Sequence, residues 1–142
     1  MRNKKLFTLA LSVTIILLTY CKKNSEKAME YNNIIADEMK YLTDIEQEIA
    51  VKDGPELDAA IEKFKKAVPE SKTKIEKLGS FENDDSLQRA ALEVCIFYQE
   101  VIDGKWSSKG QEAIQNKDAD LDIQMQKIQS EFANKFRFEI KK

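Results

Sequence analysis

The sequence predicts an all-α protein that folds as an antiparallel up-down four-helix bundle. Three observations predict this class. Apolar residues recur at steps of three and four, the spacing of a helix with one buried face. The 142 residues include only four glycines and two prolines, whereas 34% of them are charged. The strongest helix-breaking signals fall at 53–55, 79–85 and 104–110, and they separate four stretches that can pack side by side.

The first helix is expected to begin at Ser25, an N-cap residue, and to end at the Asp-Gly-Pro sequence at 53–55. Glu38 falls on the apolar side of this helix. A carboxylate there costs free energy unless it is paired, so we expect Glu38 to lie at the edge or to reach a Lys or Tyr of a neighbouring helix. We also keep Glu38 as a candidate interaction residue. The apolar stripe consists of Ala28, Tyr31, Ile35, Leu42, Ile45 and Ile49.

The second helix should run from about Pro55 to Leu78, with Pro69 inside its apolar pattern. Proline removes one backbone hydrogen bond, so it should kink or split the helix there. The third helix should be capped within 84–86. Its end has two interpretations, a frayed helix that reaches about Asn116 or a break near Gly104 followed by a short turn.

The fourth helix is expected to begin at the acidic run 118–122, because carboxylates stabilise a helix N-terminus. A three-helix bundle with a loose 104–118 segment is the alternative architecture. The same run resembles the opening of a calcium-binding EF-hand loop, which requires Gly at its sixth position and Glu at its twelfth. Ile123 and Gln129 stand at those positions, so the helix start is the preferred interpretation.

Residues 1–20 have the pattern of an export signal, with basic residues before the apolar run Leu6 to Leu18 and Cys21 directly after the segment. As a helix, Leu6 to Tyr20 would span about 22 Å, less than the roughly 30 Å of a bilayer core. We therefore predict a lipoprotein signal at 1–20, acyl chains on Cys21 that anchor the protein, a tether at 21–25 and a helical bundle at 26–142.

The segment is similar to bacterial lipoprotein signals at Leu18 and Thr19, whereas Tyr20 stands where such signals carry a small residue. The alternatives are a secreted protein cleaved elsewhere and an uncleaved membrane anchor. The expected location is the cell envelope, at the outer membrane.

Several kinds of chemistry are excluded by composition. The chain has no histidine, which rules out Ser-His-Asp catalysis and the His-containing di-iron sites of helical bundles. No glycine-rich phosphate loop is present. We predict no catalytic residue, no cofactor and no metal site. The net charge of −2 argues against a nucleic-acid partner, and Cys95, within an apolar stretch, is expected to be a buried thiol.

The order of features along the chain resembles a family of small surface lipoproteins of leptospires and Bacteroidetes-type bacteria. The resemblance rests on the Cys-Lys-Lys at 21–23, Tyr31-Asn32, and the Leu-Gly-Ser-Phe at 78–81 before the stretch 87–101. It implies an outer-membrane, surface-exposed lipoprotein without an assigned activity, and it carries over no catalytic residue.

Two functions remain as expectations. The first is a non-enzymatic interaction module that presents a helical face to a protein partner, with a host component as one candidate. Trp106, the single tryptophan, is its second candidate residue, although a tryptophan can equally close the end of a core. The second is a periplasmic carrier that holds a small apolar ligand within the bundle. The residues expected to line its cavity are Tyr31, Tyr41, Phe64, Phe97 and Tyr98.

Overall fold

The computed structural model describes the backbone of residues 3–140 and the side chains of residues 23–140. It contains four helices: α1 is Asn3–Val51, α2 is Gly54–Leu78, α3 is Ser86–Ile102 and α4 is Gln111–Phe136. Consecutive helices pack against each other, and α1 also contacts α3 and α4. Over residues 3–140 there is no strand, and a single isolated bridge joins Phe81 to Asp84. The predicted all-α four-helix bundle is confirmed.

Hydrogen bonds between helices establish the up-down order. The Tyr31 hydroxyl donates to the Gly79 carbonyl at 2.7 Å, and Lys63 Nζ donates to Glu48 at 2.9 Å, so α1 and α2 are antiparallel. The end of the bundle that holds Tyr31, the 79–85 connection and the end of α4 is called the near end. The opposite end, where α1 stops at Val51 and α4 begins, is called the far end.

The core follows the predicted stripes. Ile35, Leu42 and Ile45 of α1 are fully buried, as are Val68 and Ile75 of α2. The short helix α3 has seven buried residues, because it packs between α2 and α4 and also meets α1. These are Leu87, Ala90, Ala91, Val94, Cys95, Phe97 and Tyr98.

The first helix does not begin at Ser25. That residue lies inside α1, and its hydroxyl donates to the Arg137 carbonyl at 2.7 Å instead of capping a helix. The stretch from Tyr20 to Glu30 contains no proline or glycine, so nothing in it breaks the helix. Ser25 therefore ties α1 to the segment that follows α4.

The expected start of α4 is also wrong. This helix begins at Gln111, after Gly110 with φ of 82°, so Asp118, Asp120 and Asp122 lie inside it. The acid of the first turn is Glu112. Because a continuous helix cannot form the EF-hand loop, the calcium alternative is excluded as well. Of the two expected ends of α3, the break near Gly104 is correct, since turns follow Ile102, and the loose 104–118 segment is not observed.

Pro69 does not split the second helix, because α2 continues through it to Leu78. The proline side chain is exposed and so displaces no core residue. Its missing N–H leaves the Lys65 carbonyl without the usual helical donor. The Pro69 carbonyl in turn accepts a hydrogen bond of 2.9 Å from the Thr73 hydroxyl.

The near end is filled with aromatic side chains. Tyr31 and Phe81 pack against Phe132, and Phe136 and Phe138 extend the cluster, with ring centroids between 4.7 and 6.0 Å apart. Burial raises the pKa of Tyr31 to about 12, so its hydroxyl stays neutral and donates to Gly79. Among the described side chains, aromatic rings therefore pack together at this end of the bundle.

Candidate functional site

The far end, by contrast, is not filled by its side chains. A cleft of about 350 Å³ opens there between α1, α2 and α3, with one residue of α4 on its wall. The lining is mostly apolar, and Phe64, Phe97 and Tyr98 supply aromatic surface. Its other residues include Ile49, Ile61, Val101, Ile102 and Ile114.

A second cleft of about 320 Å³ lies beside it, between α1, α3 and α4. The two clefts share the side chains of Glu46, Tyr98 and Ile114. The small residue Ala119 of α4 lines the second cleft. In keeping with this space, α1 packs more extensively against α2 than against α4. Each cleft falls within the lower part of the size range of small-molecule sites, about 300–1,000 Å³.

The wall between the clefts is polar. Tyr98 is 7% exposed, and its hydroxyl donates to Glu46 Oε2 at 3.1 Å. The side chain of Tyr98 belongs to the buried stripe of α3, and its ring meets Phe64 edge-on at 5.1 Å. A buried tyrosine needs a partner for its hydroxyl, and in this structure the partner comes from α1. Asp118 of α4 lies near the same hydroxyl, so three helices contribute to the wall.

The environment shifts the pKa values of this group upwards. Burial raises the pKa of Glu46, with a further rise from Asp118 that the hydrogen bond from Tyr98 opposes. Burial also raises the pKa of Asp118, opposed by Tyr98 and supported by Asp122. Burial and the two carboxylates raise the pKa of Tyr98, so its phenol stays neutral and donates. The arrangement can bind a polar or cationic group at the edge of an apolar space.

Glu38 lies outside both clefts. It accepts hydrogen bonds from Lys74 Nζ at 2.8 Å and from Ser71 Oγ at 2.7 Å, both on α2. Its side chain is 15% exposed. The prediction that Glu38 reaches a lysine of a neighbouring helix is confirmed, and its contacts account for a carboxylate on the apolar stripe.

Trp106 lies in the turn after α3 and is half-buried. Its ring meets Phe97 edge-on at 5.1 Å, and its indole N–H donates to Glu100 at 3.1 Å. Lys109 Nζ lies 3.9 Å from the ring centroid. The indole lines a depression of about 200 Å³ between α3 and α4, which shares Phe97 with the first cleft and Leu121 with the second. The tryptophan thus covers the end of the core on the side of Phe97.

The predicted carrier residues divide into two groups. Phe64, Phe97 and Tyr98 line the first cleft, as expected. Tyr31 belongs to the near-end aromatic cluster, and Tyr41 is 42% exposed on the surface of α1. The residues that sequence reasoning missed are Glu46, Asp118 and Ile114. The available signal was Tyr98, a hydroxyl on a buried stripe that required a partner.

The chain has two cysteines, Cys21 and Cys95. Cys21, the predicted lipidation site, lies outside the described side chains. Cys95 is a fully buried free thiol, and burial raises its pKa to about 12. A thiol in that state is a poor nucleophile at neutral pH. Among residues 23–140, no three acidic or thiol side chains are grouped so as to hold a metal ion.

Comparisons with protein-family models, with curated proteins and with solved structures give no match to this chain. In the part of the chain whose side chains are described, no helix is long and apolar enough to cross a membrane.

Proposed function

We propose that this protein is a lipid-anchored component of the bacterial envelope that binds a small, largely apolar ligand in the two clefts at the far end. The observation that carries the proposal is the pair of adjoining clefts around Tyr98, of which the first is mostly apolar and the second is lined in part by carboxylates. The proposed activity is binding without catalysis, and it requires no cofactor.

The proposed anchor and the clefts belong to opposite ends of the bundle. Cys21 precedes the near end, where Ser25 is tied to Arg137. Acyl chains on Cys21 would therefore hold the near end at the membrane and leave the far end open to the surrounding fluid. The basis for the anchor is the sequence pattern of residues 1–24. Outer-membrane placement belongs to the same proposal.

Native mass spectrometry tests the binding proposal. The full chain is purified gently from its own membranes, and the intact complex is weighed before and after dissociation. Acyl chains on Cys21 would appear as a covalent mass that persists after dissociation. A bound ligand would appear as a non-covalent mass that is lost.

A matched pair of variants locates the ligand. Ile114→Phe places a larger side chain on the wall that both clefts share, whereas Ile123→Phe makes the same change at a position of α4 that is 67% exposed. We expect the non-covalent mass to disappear from the first variant and to remain in the second, with both variants folded by circular dichroism. A wild-type protein without ligand, or ligand retained by folded Ile114→Phe, would contradict the proposal.

A second function, the interaction module, is favoured by one surface feature. Ile96 of α3 is 47% exposed and borders the depression that Trp106 lines. The rim of this depression carries two acidic residues, Glu93 and Glu100, and one basic residue, Lys117. An apolar centre with a polar rim is the usual composition of a protein-binding patch.

Site-specific photo-crosslinking in intact cells tests this second function. A crosslinking residue at position 96 should give one discrete adduct, whereas the same residue at position 123 on α4 should give none. Equal crosslinking at the two positions would argue against a defined partner at this face.

A further inference from the structure

We infer that the ligand of the far-end clefts has an apolar body and a positively charged amine head, with the head placed against Glu46. This inference rests on the proposed function and adds the chemical class of the ligand. Its basis is the set of charged side chains that line the two clefts, because most of them are carboxylates.

Among the described residues, the second cleft has three carboxylates on its walls and no basic residue. They are Glu46 of α1 and Asp118 and Asp122 of α4. The first cleft contains Glu46 and one cation, Lys65 of α2, and Lys65 Nζ is already bonded to Glu62 at 2.7 Å. The clefts therefore offer negative charge without a bound counter-charge.

The carboxylates at the wall between the clefts can accept further hydrogen bonds. Glu46 receives one hydrogen bond at Oε2 from Tyr98, and no side chain within residues 23–140 donates to its Oε1. Among residues 23–140, neither Glu46 nor Asp118 forms an ion pair with a lysine or an arginine. An amine head donates up to three hydrogen bonds, so it could serve Glu46 and Asp118 together.

The apolar lining identifies the cation as organic. A bare metal ion would need several oxygen ligands around one point, and the described side chains form no such group. An organic ligand would instead bury its body against Ile61, Phe64 and Ile114.

Partial burial of carboxylates that lack a cationic partner costs free energy, which a cationic ligand would recover on binding. Binding should accordingly weaken as pH falls and Glu46 and Asp118 take up protons. The other titratable groups that face this wall are Tyr98, which is neutral over that range, Asp122 and Lys65. The pKa values of Glu46 and Asp118 are raised, so the weakening should begin at higher pH than for exposed carboxylates.

Three probes of one shape test the inference: phenethylamine, phenylethanol and phenylpropanoate, which are cationic, neutral and anionic at neutral pH. Each is titrated by calorimetry into the full chain held in lipid nanodiscs, with empty nanodiscs as the blank. We expect the amine to bind at least about tenfold more tightly than the alcohol, a difference of about 1.4 kcal/mol. The anion should bind more weakly than either.

Two variants assign the effect. Glu46→Gln keeps the shape and the acceptor for Tyr98 but removes the charge, and it should reduce the preference for the amine by about tenfold. Glu30→Gln makes the same change on the exposed side of α1 and should leave the preference unchanged.

The outcomes separate the two proposals. Equal binding of amine and alcohol would overturn the inference and leave the proposed function standing. Preference for the anion would overturn it as well. Binding of none of the three, together with the absence of a ligand in native mass spectrometry, would overturn both. An amine preference that survives in Glu46→Gln and in Asp118→Asn would show that the wall does not provide it.

Discussion

Each buried polar side chain of this bundle is satisfied by a partner. Asn32 is 2% exposed and accepts from Gln129 of α4 at 3.0 Å, while the fully buried Ser71 donates to Glu38 of α1. Over residues 23–140, no buried side-chain nitrogen or oxygen lacks a hydrogen-bond partner. Such bonds are made only when the helices are in the correct register, so they favour one packing over shifted alternatives.

The Glu38 contacts give the first stability prediction. Glu38→Ala removes the acceptor of Ser71 and Lys74, and it leaves a buried hydroxyl unsatisfied. We expect the free energy of unfolding to fall by about 1–3 kcal/mol, measured by urea denaturation. Ligand binding should not change, because Glu38 lines neither cleft. The control is Glu30→Ala on the exposed side of α1, which should change stability by less than about 0.5 kcal/mol. Equal effects of the two substitutions would contradict the structural role.

Asp84 gives a pH-dependent prediction. Burial opposes its charge, but hydrogen bonds from Lys135 and Ser86 outweigh burial and hold its pKa at about 2, below the usual 3.8. Because the pKa is lower in the folded protein, this contribution to stability is complete above pH 3.8 and is lost as pH falls towards 2.

The test compares wild type with Asp84→Asn across pH. The substitution should cost about 1–2 kcal/mol at neutral pH, because Asn can still accept the backbone N–H of Ser86 but has no charge to pair with Lys135. The difference should shrink between pH 4 and 2. Asp37→Asn, at an exposed position, serves as the control. A difference that stays constant down to pH 2 would show that the charge of Asp84 is not responsible.

The contacts of Glu38 could be predicted from the sequence, whereas the contact between Glu46, Tyr98 and Asp118 at the far end could not. A carboxylate on an apolar stripe needs a hydrogen-bond or ion-pair partner, so the need can be predicted from the sequence even when the partner residue cannot. Contact between Glu46, Tyr98 and Asp118 depends on how far each helix is offset along the bundle. That offset follows from where α4 begins, and the start at Gln111 lies about two turns before the acidic run.

For the helices as elements, apolar periodicity located all four stretches correctly. The predicted helix starts depended on capping residues, which are a weaker signal. The acidic run at 118–122 and Ser25 both have the composition of a helix start and both lie inside helices. Glycines with positive φ marked the real boundaries more reliably, as Gly79 with φ of 67° does at the end of α2. Capping residues are also tolerated inside a helix, which explains the errors.

Pro69 gives a prediction for a whole helix. In the interior of α2 it removes one backbone hydrogen bond, yet its side chain is exposed. Pro69→Ala should restore the bond to the Lys65 carbonyl and raise the free energy of unfolding by about 1–3 kcal/mol, measured by urea denaturation. A loss of stability would contradict this and would show that the packing of α2 depends on a bend at the proline.

The turn between α3 and α4 gives a spectroscopic prediction. Because Trp106 packs on Phe97 and is half-buried, its fluorescence emission should be blue-shifted relative to the same protein in urea. Trp106→Ala should lower the free energy of unfolding by about 1–3 kcal/mol, less than for a fully buried tryptophan. Emission at the wavelength of the unfolded chain would place the indole in solvent and would favour a role in partner binding.

On the scale of the whole molecule, the two ends of the bundle differ in packing. Among the described side chains, aromatic rings pack together at the near end, and clefts of about 350 and 320 Å³ open at the far end. Close packing is the normal state of a protein interior, so an end that remains open calls for an explanation. The proposed ligand would explain why the far end is open. The proposed binding site would then lie at the opposite end of the bundle from the proposed anchor.

The most direct test of this account uses the isoleucine methyl groups as probes. Phenethylamine is added to the full chain in nanodiscs with isoleucine methyls labelled for NMR. The account predicts shifts at the four isoleucines that line the clefts and none at Ile75 in the closed core or at exposed Ile123. The four are Ile49, Ile61, Ile102 and Ile114. Shifts confined to Ile123, Ile34 or Ile96 on the surface, or no shifts at all, would contradict a binding site at the far end.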